Sequence, residues 1–549
     1  MRTLNPTIEG AIRPPMCATA PLAKWVIPLA TGIVCSRVIG WGALLVPCMI
    51  LPLLGSTVLR QMVLACSISF LAGILLFDAA SSPQDPLFSD LPPRESLMQL
   101  RVDELFNARK PDRVAGVATI LITDIPHDLV TGRQLAFYLD TEQLLTNRIQ
   151  TGEHISCRAV LTYLPAIDQP DDYQLYLLGR DIFLTLNRGS IIERLKPAPR
   201  LQRIRQNLNH HCQRILTTGC KDKEDLGNVL ASMLLGNRSL LTDERIDTYR
   251  RTGTYHLFAV SGLHVGSVAL CLHLLVGLIR LPPVWKLVPV ISLMWTYVWI
   301  TGSSPSAIRA GIMFSTLILS RYIMRQNHLF PALMLSAFIV LIMDPYQLFH
   351  LGFQLSYGVV TSIILIGLPI AQELRKIINR IMANSYPMPK WKRRLHTILM
   401  STGDLLGVSA SASLASMPLV IQHFGLFTPG GVVLGVILNP LVTLTVMTGC
   451  CCLLLAFIPW PVAGWLAMAA WPLIWCIERL LDLCLMIPGA VSNRNWPWQP
   501  TGTCLLIAGL LTAWLIQLLR QQGFLRNPLA LLAAPVLLLA GLTLSDVGT

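Results

Sequence analysis

The stretch HLFAVSGLHVG, residues 256–266, sets His256 and His264 eight residues apart in an otherwise apolar run, with Ser261 and Gly262 between them. Three readings compete: a metal site, a nucleophile with its base, or a polar piece of a membrane pathway. Composition decides the class first. Hydrophobic residues make up 53% of the chain and charged residues 13%, and the mean hydropathy is +0.56. That is too apolar for a soluble chain of 549 residues. The fold class is therefore a polytopic α-helical membrane protein, with candidate spans near 22–38, 40–55, 59–77, 255–279, 284–301, 305–321, 329–343, 350–370, 398–421, 431–458, 462–488, 502–519 and 528–545. Two stretches, PSAIRAGIM (305–313) and LGVILNPLV (434–442), are candidates for re-entrant or broken helices lining a cavity.

Between the third and fourth spans the chain changes character. Residues 78–225 are rich in acidic side chains and lack a long apolar run, which predicts a water-facing domain with its own core. EHISCRAVLTYL (153–164) puts Ile155, Cys157, Ala159, Leu161 and Tyr163 on one face of a strand, and RQLAFYLD (133–140) does the same with Leu135, Phe137 and Leu139. VAGVATILITDIP (114–126) and YQLYLLGRDIFLTL (173–186) extend the series. Four or more short strands predict a small extracytoplasmic β-barrel of the OB-fold kind, a frequent scaffold for single-stranded nucleic acid. Phe137, Tyr138, Tyr163, Tyr173, Tyr176 and Phe183 could stack on bases, though filling the barrel is the plainer role.

A basic collar follows. Residues 187–223 hold nine Lys or Arg against two acids, among them Arg200, Arg203, Arg205 and Arg214. They suit an electrostatic funnel for a polyanion, or an amphipathic helix on anionic headgroups. Adjacent His210 and His211 cannot both face one metal from a helix. Most of the fourteen cysteines lie in apolar spans and read as small hydrophobes. A Cys212–Cys220 disulfide is one pairing the outer compartment allows, with Cys157 the third candidate.

Positive charge orients the chain. Residues 371–396 carry seven Lys or Arg against one acid, which places them in the cytoplasm. Alternation puts the N-terminus inside, and residues 78–225 and the C-terminus outside.

In the opening stretch, Ser261 and His264 are three apart and within reach, yet no carboxylate stands near to orient the imidazole. For zinc, the two histidines have no third partner nearby. A cavity-lining role is the default for polar groups in a span. Other such groups are Arg309, which meets either phosphate, backbone carbonyls or an acid such as Asp344, and Gln354, Ser356 and Asn439, the last before Pro440.

Four motifs carry a resemblance. LLGNRSLLTDERIDTYRRTGTYHLFAVSGLHVG (234–266), TGSSPSAIRAGIM (301–313), DPYQLFHLGFQLSYGVV (344–360) and FGLFTPGGVVLGVILNPLV (424–442) resemble, in that order, the signatures of the ComEC competence-protein family of DNA-uptake channels. The resemblance implies passage of single-stranded DNA through the inner membrane during natural transformation, with His256, Ser261, Gly262, His264, Arg309, Gln354, Ser356 and Asn439 as candidates for the DNA path. It also implies a separate DNA receptor, a nuclease, and a cytoplasmic motor or single-strand-binding protein as partners, with a homo-oligomer as a further expectation.

Many family members add a metallo-beta-lactamase-like domain with an HxHxDH motif; this sequence has none and no GxxxxGK[ST]. No enzyme activity, cofactor or metal is expected. The expected division is 1–77 N-terminal helices, 78–187 barrel, 188–254 basic connector, 255–490 channel core and 491–549 C-terminal helices. The competing classes are a membrane-embedded enzyme acting on an envelope lipid or polysaccharide, and a small-anion transporter.

Overall fold

The computed structural model describes residues 93–106, 113–124, 130–140, 149–163, 177, 182–217, 224–280, 282–323, 329–382, 389–455, 461–487, 492–495, 501–521, 533, 535 and 546–547. The expected spans at 22–38, 40–55 and 59–77 lie outside these residues, as do almost all of 528–545 and Cys220, Tyr173 and Tyr176. The chain divides into two compact units, one of residues 75–214 with 237–240, the other holding the helices that follow.

The first unit is a closed five-stranded barrel built from β1 (Arg94–Phe106), β2 (Arg113–Thr123), β3 (Gln134–Asp140), β4 (His154–Tyr163) and β5 (Leu184–Lys196). The strand order is β1-β2-β3-β5-β4, closing back on β1, and β3 with β5 is the parallel pair. This is an OB-like arrangement. Two-residue alternation supplies the core: Ile155, Cys157, Ala159 and Leu161 from β4 and Leu135, Phe137 and Leu139 from β3 are buried together. Burial pushes the Cys157 thiol up to about 12, so it is inert packing. Of the aromatics, Phe137 and Phe183 are buried and Tyr138 is exposed, while Tyr163 packs at the edge of the core.

One strand extends beyond expectation. Of the strand expected at 173–186, most of 173–181 lies outside the described residues; its last three residues open β5, which begins at Leu184 and runs to Lys196, through residues whose cations suggested a connector. Only Leu184, Leu186 and Ile191 of β5 face the core. A kink at Arg188, whose φ is +52°, interrupts the alternation that would have revealed it. The helix α1 (Arg200–Thr217) follows.

The second unit is helical: α2 (Glu224–Leu235), α3 (Asp243–Arg251), α4 (Gly262–Gly277), α5 (Pro283–Ile300), α6 (Pro305–Ile323), α7 (Leu329–Met343), α8 (Leu351–Ser362), α9 (Leu368–Met382), α10 (Lys390–Phe424), α11 (Gly431–Leu455), α12 (Pro461–Met486) and α13 (Thr501–Gln521). A π turn, Ile363–Gly367, joins α8 to α9 without a break. Among the described residues, three stretches are long and apolar enough to cross a membrane: Leu351–Met382, Lys390–Phe424 and Gly431–Leu455. Shorter apolar helices include Gly262–Gly277, Val284–Ile300, Pro305–Ser320, Leu329–Met343 and Gly502–Gln517. This is a membrane protein.

Close packing replaces the hydrophobic effect as the glue between such helices. A Cβ on Gly407 of α10 would lie 2.8 Å from the Gly367 carbonyl oxygen, so the two backbones touch. Ser362 Oγ donates to the Ser411 carbonyl at 3.0 Å, and Gln517 Nε2 of α13 donates to the Leu365 carbonyl in the π turn at 3.1 Å.

The broken helices expected at 305–313 and 434–442 do not occur. α6 runs unbroken through the first, and α11 passes through Pro440. Leu438 and Val442, both buried, hold the turn around Pro440 in packing, which offsets the one hydrogen bond that proline forfeits. The chain breaks instead just before α4 and α8, in short 3₁₀ turns at Tyr255–Phe258 and Pro345–Phe349.

Candidate functional site

Neighbouring contacts fix the relative direction of four helices. Gly262 and Gly266 of α4 lie against Ala310 and Phe314 of α6, so these two run side by side in the same sense. Gly253, before α4, meets Thr428, before α11, and Cys271 lies 4.0 Å from the Met447 carbonyl, so α4 and α11 also run alike. Arg309 in the second turn of α6 reaches Ser356 and Gly352 in the first two turns of α8. The N-terminal turns of α4, α6, α8 and α11 therefore share one end of the unit, and each carries one of the four motifs. Every such terminus carries about half a unit of positive charge.

Arg309 is the one charged side chain among the described candidates within a span, and it is 5% exposed. The sequence left phosphate, backbone carbonyls or an acid as its partner. The structure gives it two neutral oxygens: Nη1 donates to Gln347 Oε1 at 3.2 Å and Nε to Ser356 Oγ at 3.4 Å. Asp344 stands one side chain further off. Its Oδ2 accepts from Gln347 Nε2 at 2.8 Å and its Oδ1 from the Tyr346 backbone N–H at 3.0 Å. Arg309 thus has no ion pair among the described residues, and its charge is relayed rather than neutralised. Gly352, which is exposed, leaves room for the guanidinium, since a Cβ there would sit 2.8 Å from Nη2. Gln347 and Gly352 were missed because a neutral amide 38 residues away and a helical glycine carry no charge signal.

The opening stretch resolves into a helix start. Ser261 is the N-cap of α4, its Oγ 2.8 Å from His264 Nδ1. The Ser261 backbone N–H donates to that same nitrogen at 3.3 Å, so Nδ1 is an acceptor and the proton sits on Nε2. This is a capping box with histidine as the third residue of the first turn. Nε2 is buried with no partner among the described residues. His256 is exposed, with Nδ1 3.1 Å from the Gly253 carbonyl. Gly262 is exposed beside it. Ser306 Oγ donates to the Val260 carbonyl at 2.7 Å, tying the starts of α4 and α6 together.

The remaining candidates divide. Gln354 donates through Nε2 to the Leu348 carbonyl at 3.2 Å, bracing the turn before α8, while its Oε1 is buried without a partner among the described residues. Asn439 is half-buried on α11, its Nδ2 facing the side of Gly435. On α1, Arg200, Arg203 and Arg214 are exposed at helical spacing, along with Leu201 and Ile204. Arg205 is turned the other way, and burial lowers its pKa. Cys212 is a free thiol among the described residues.

The family model for "Competence protein" matches residues 233–521. The chain belongs to the competence protein family. The competence match takes in all four motifs and runs from the end of α2 to the end of α13, so α13 and its Gln517 contact fall within it. Two relatives are similar over the same order of length. ComE operon protein 3 of Bacillus subtilis (strain 168) is 29% identical over 227 residues, 41% of this chain and 26% of that protein. Uncharacterized protein YcaI of Escherichia coli (strain K12) is 27% identical over 225 residues, 39% of this chain and 27% of that one. The aligned segments thus span about a quarter of each relative's own length. No solved structure matches.

Proposed function

We propose that this competence-family protein conducts single-stranded DNA across the inner membrane during natural transformation. The observation that carries the reading is Arg309, a buried guanidinium without an acid partner among the described residues, set among the N-terminal turns of four like-directed helices. A buried cation is costly unless something negative completes it. A strand with one charge per nucleotide supplies that anion repeatedly, and the helix termini add a fixed positive field. Bases play no part in such a contact, so passage would be indifferent to sequence.

In this reading the N-terminus faces the cytoplasm, the barrel and the C-terminus face outward, and the exposed arginines of α1 gather the incoming polyanion. The chain acts as a conduit without catalysing. A separate receptor delivers the DNA, a separate nuclease removes the second strand, and a cytoplasmic motor or single-strand-binding protein pulls. Helix capping accounts for the Ser261–His264 contact, and among the described residues no carboxylate partners the ring.

The experiment is Arg309→Ala in a transformable host carrying this chain. Loss of a charge-assisted contact is worth about 1.5–3 kcal/mol, so transformants should fall by about tenfold to a hundredfold with DNA capture and membrane abundance unchanged. Undiminished recovery would remove Arg309, and with it the main support for the conduit.

A further inference from the structure

The hairpin of α9 and α10 carries a surface that the conduit does not use. Leu351–Met382 has 32 residues and Lys390–Phe424 has 35, about 48 Å and about 52 Å at the helical rise. The hydrocarbon core is about 30 Å thick. Several turns of each helix therefore extend past it, and the charges show which: the stretch from Glu373 to Met382 and the stretch from Lys390 onward.

Exposed side chains on these turns are of two kinds. Ile377 and Ile381 lie four apart on α9, and Trp391, Leu395, Ile398 and Leu399 follow the i, i+4, i+7, i+8 pattern on α10, so each helix shows an apolar stripe. Ile381, Trp391 and Ile398 are 69%, 67% and 61% exposed. Beside the stripes stand Arg380, Lys390, Arg393 and Arg394, all exposed. The nearby acids are already engaged. Glu373 lies 3.0 Å from Lys376 and 3.2 Å from Arg520, and Asp404 Oδ1 accepts from Arg375 Nε at 2.6 Å. Those four cations have no acidic partner among the described residues.

Water would leave six large apolar side chains uncovered, and hydrocarbon would have to take in four unpaired cations. The headgroup layer accommodates both, with tryptophan at its preferred depth and long basic side chains reaching phosphate. We propose that this tip is a binding surface for acidic phospholipid headgroups, whose phosphates meet Arg380, Lys390, Arg393 and Arg394 while the stripes enter the acyl boundary. A nucleic-acid strand would satisfy the cations but leave the isoleucine and leucine stripes in water, which favours lipid. The proposal does not depend on the conduit reading.

The test is backbone hydrogen exchange of the full chain in nanodiscs of phosphatidylcholine, with and without phosphatidylglycerol. Exchange at 375–382 and 390–400 should slow severalfold in the acidic discs. That difference should vanish in the Lys390→Gln/Arg393→Gln/Arg394→Gln variant while α11 exchanges as before, which shows the variant still folds. Equal exchange in both kinds of disc would overturn the proposal. So would protection that appears only when a single-stranded oligonucleotide is added.

Discussion

Arg309 shows how one side chain sets the character of a site. Its planar fork reaches Gln347 and Ser356 together, which a lysine cannot reproduce. Gly352 matters next to it: a Cβ there would approach Nη2 at 2.8 Å, and moving the guanidinium aside would cost its bonds to Gln347 and Ser356. Gly352→Val should therefore cost about 1–3 kcal/mol, as overpacking does. A lowered thermal midpoint of the purified protein, with transformation reduced alongside, checks this; an unchanged midpoint would mean that Arg309 moves freely. The sequence marked Arg309 as a charge within a span but could not show its partners. Charge draws the eye to Asp344, whereas the contact is made by Gln347, an amide with no periodicity or charge to betray it.

At the scale of single elements, β4 and α1 carry the barrel unit's chemistry. His154 opens β4, paired with Lys196 and Arg101 across two neighbouring strands. Its pKa lies below 6.5, first because burial disfavours the imidazolium and then because Lys196 and Arg101 repel it. The unfolded chain thus binds a proton near pH 6.5 that the folded barrel refuses. Stability is complete above that pH and declines as pH falls below it. Proteolytic susceptibility of the barrel should rise from neutral to mildly acidic pH, and His154→Gln should flatten the dependence.

For α1, the exposed set is Arg200, Arg203 and Arg214. Replacing all three by Gln should lower the salt slope of single-strand binding by about 2, at about 0.7 per lost phosphate contact. An unaltered slope would assign α1 to another surface. β4 was legible because it buries alternate residues without interruption, and β3 because Leu135, Phe137 and Leu139 keep the two-residue spacing although the small Ala136 between them is buried as well. β5 was not, because cations and the left-handed Arg188 interrupt its pattern, and the π turn in IILIG has no sequence signal at all. Pro440 misled in the opposite direction: membrane packing carries a proline that would end a helix in water.

Across the whole molecule, the four motifs make sense as the starts of helices rather than as separate sites. Each is polar and glycine-bearing where a helix begins, and the contacts at Gly262, Gly253, Arg309 and Ser306 bring those beginnings to one end. The competence match covers this assembly and does not extend to the barrel, so the family likeness and the barrel domain are independent parts of the reading. The family was legible from the motifs; their convergence was not, since sequence alone gives neither helix direction nor neighbour.

The central claim is that an incoming strand passes this end of the helical unit. Photo-crosslinking during uptake reads it directly, with benzoylphenylalanine in place of His256 or Gly262, both exposed there, and labelled donor DNA. The expected result is a DNA adduct at these positions that a single-strand-specific nuclease digests and that Arg309→Ala diminishes. Efficient uptake with adducts only to lipid, or with none, would contradict it.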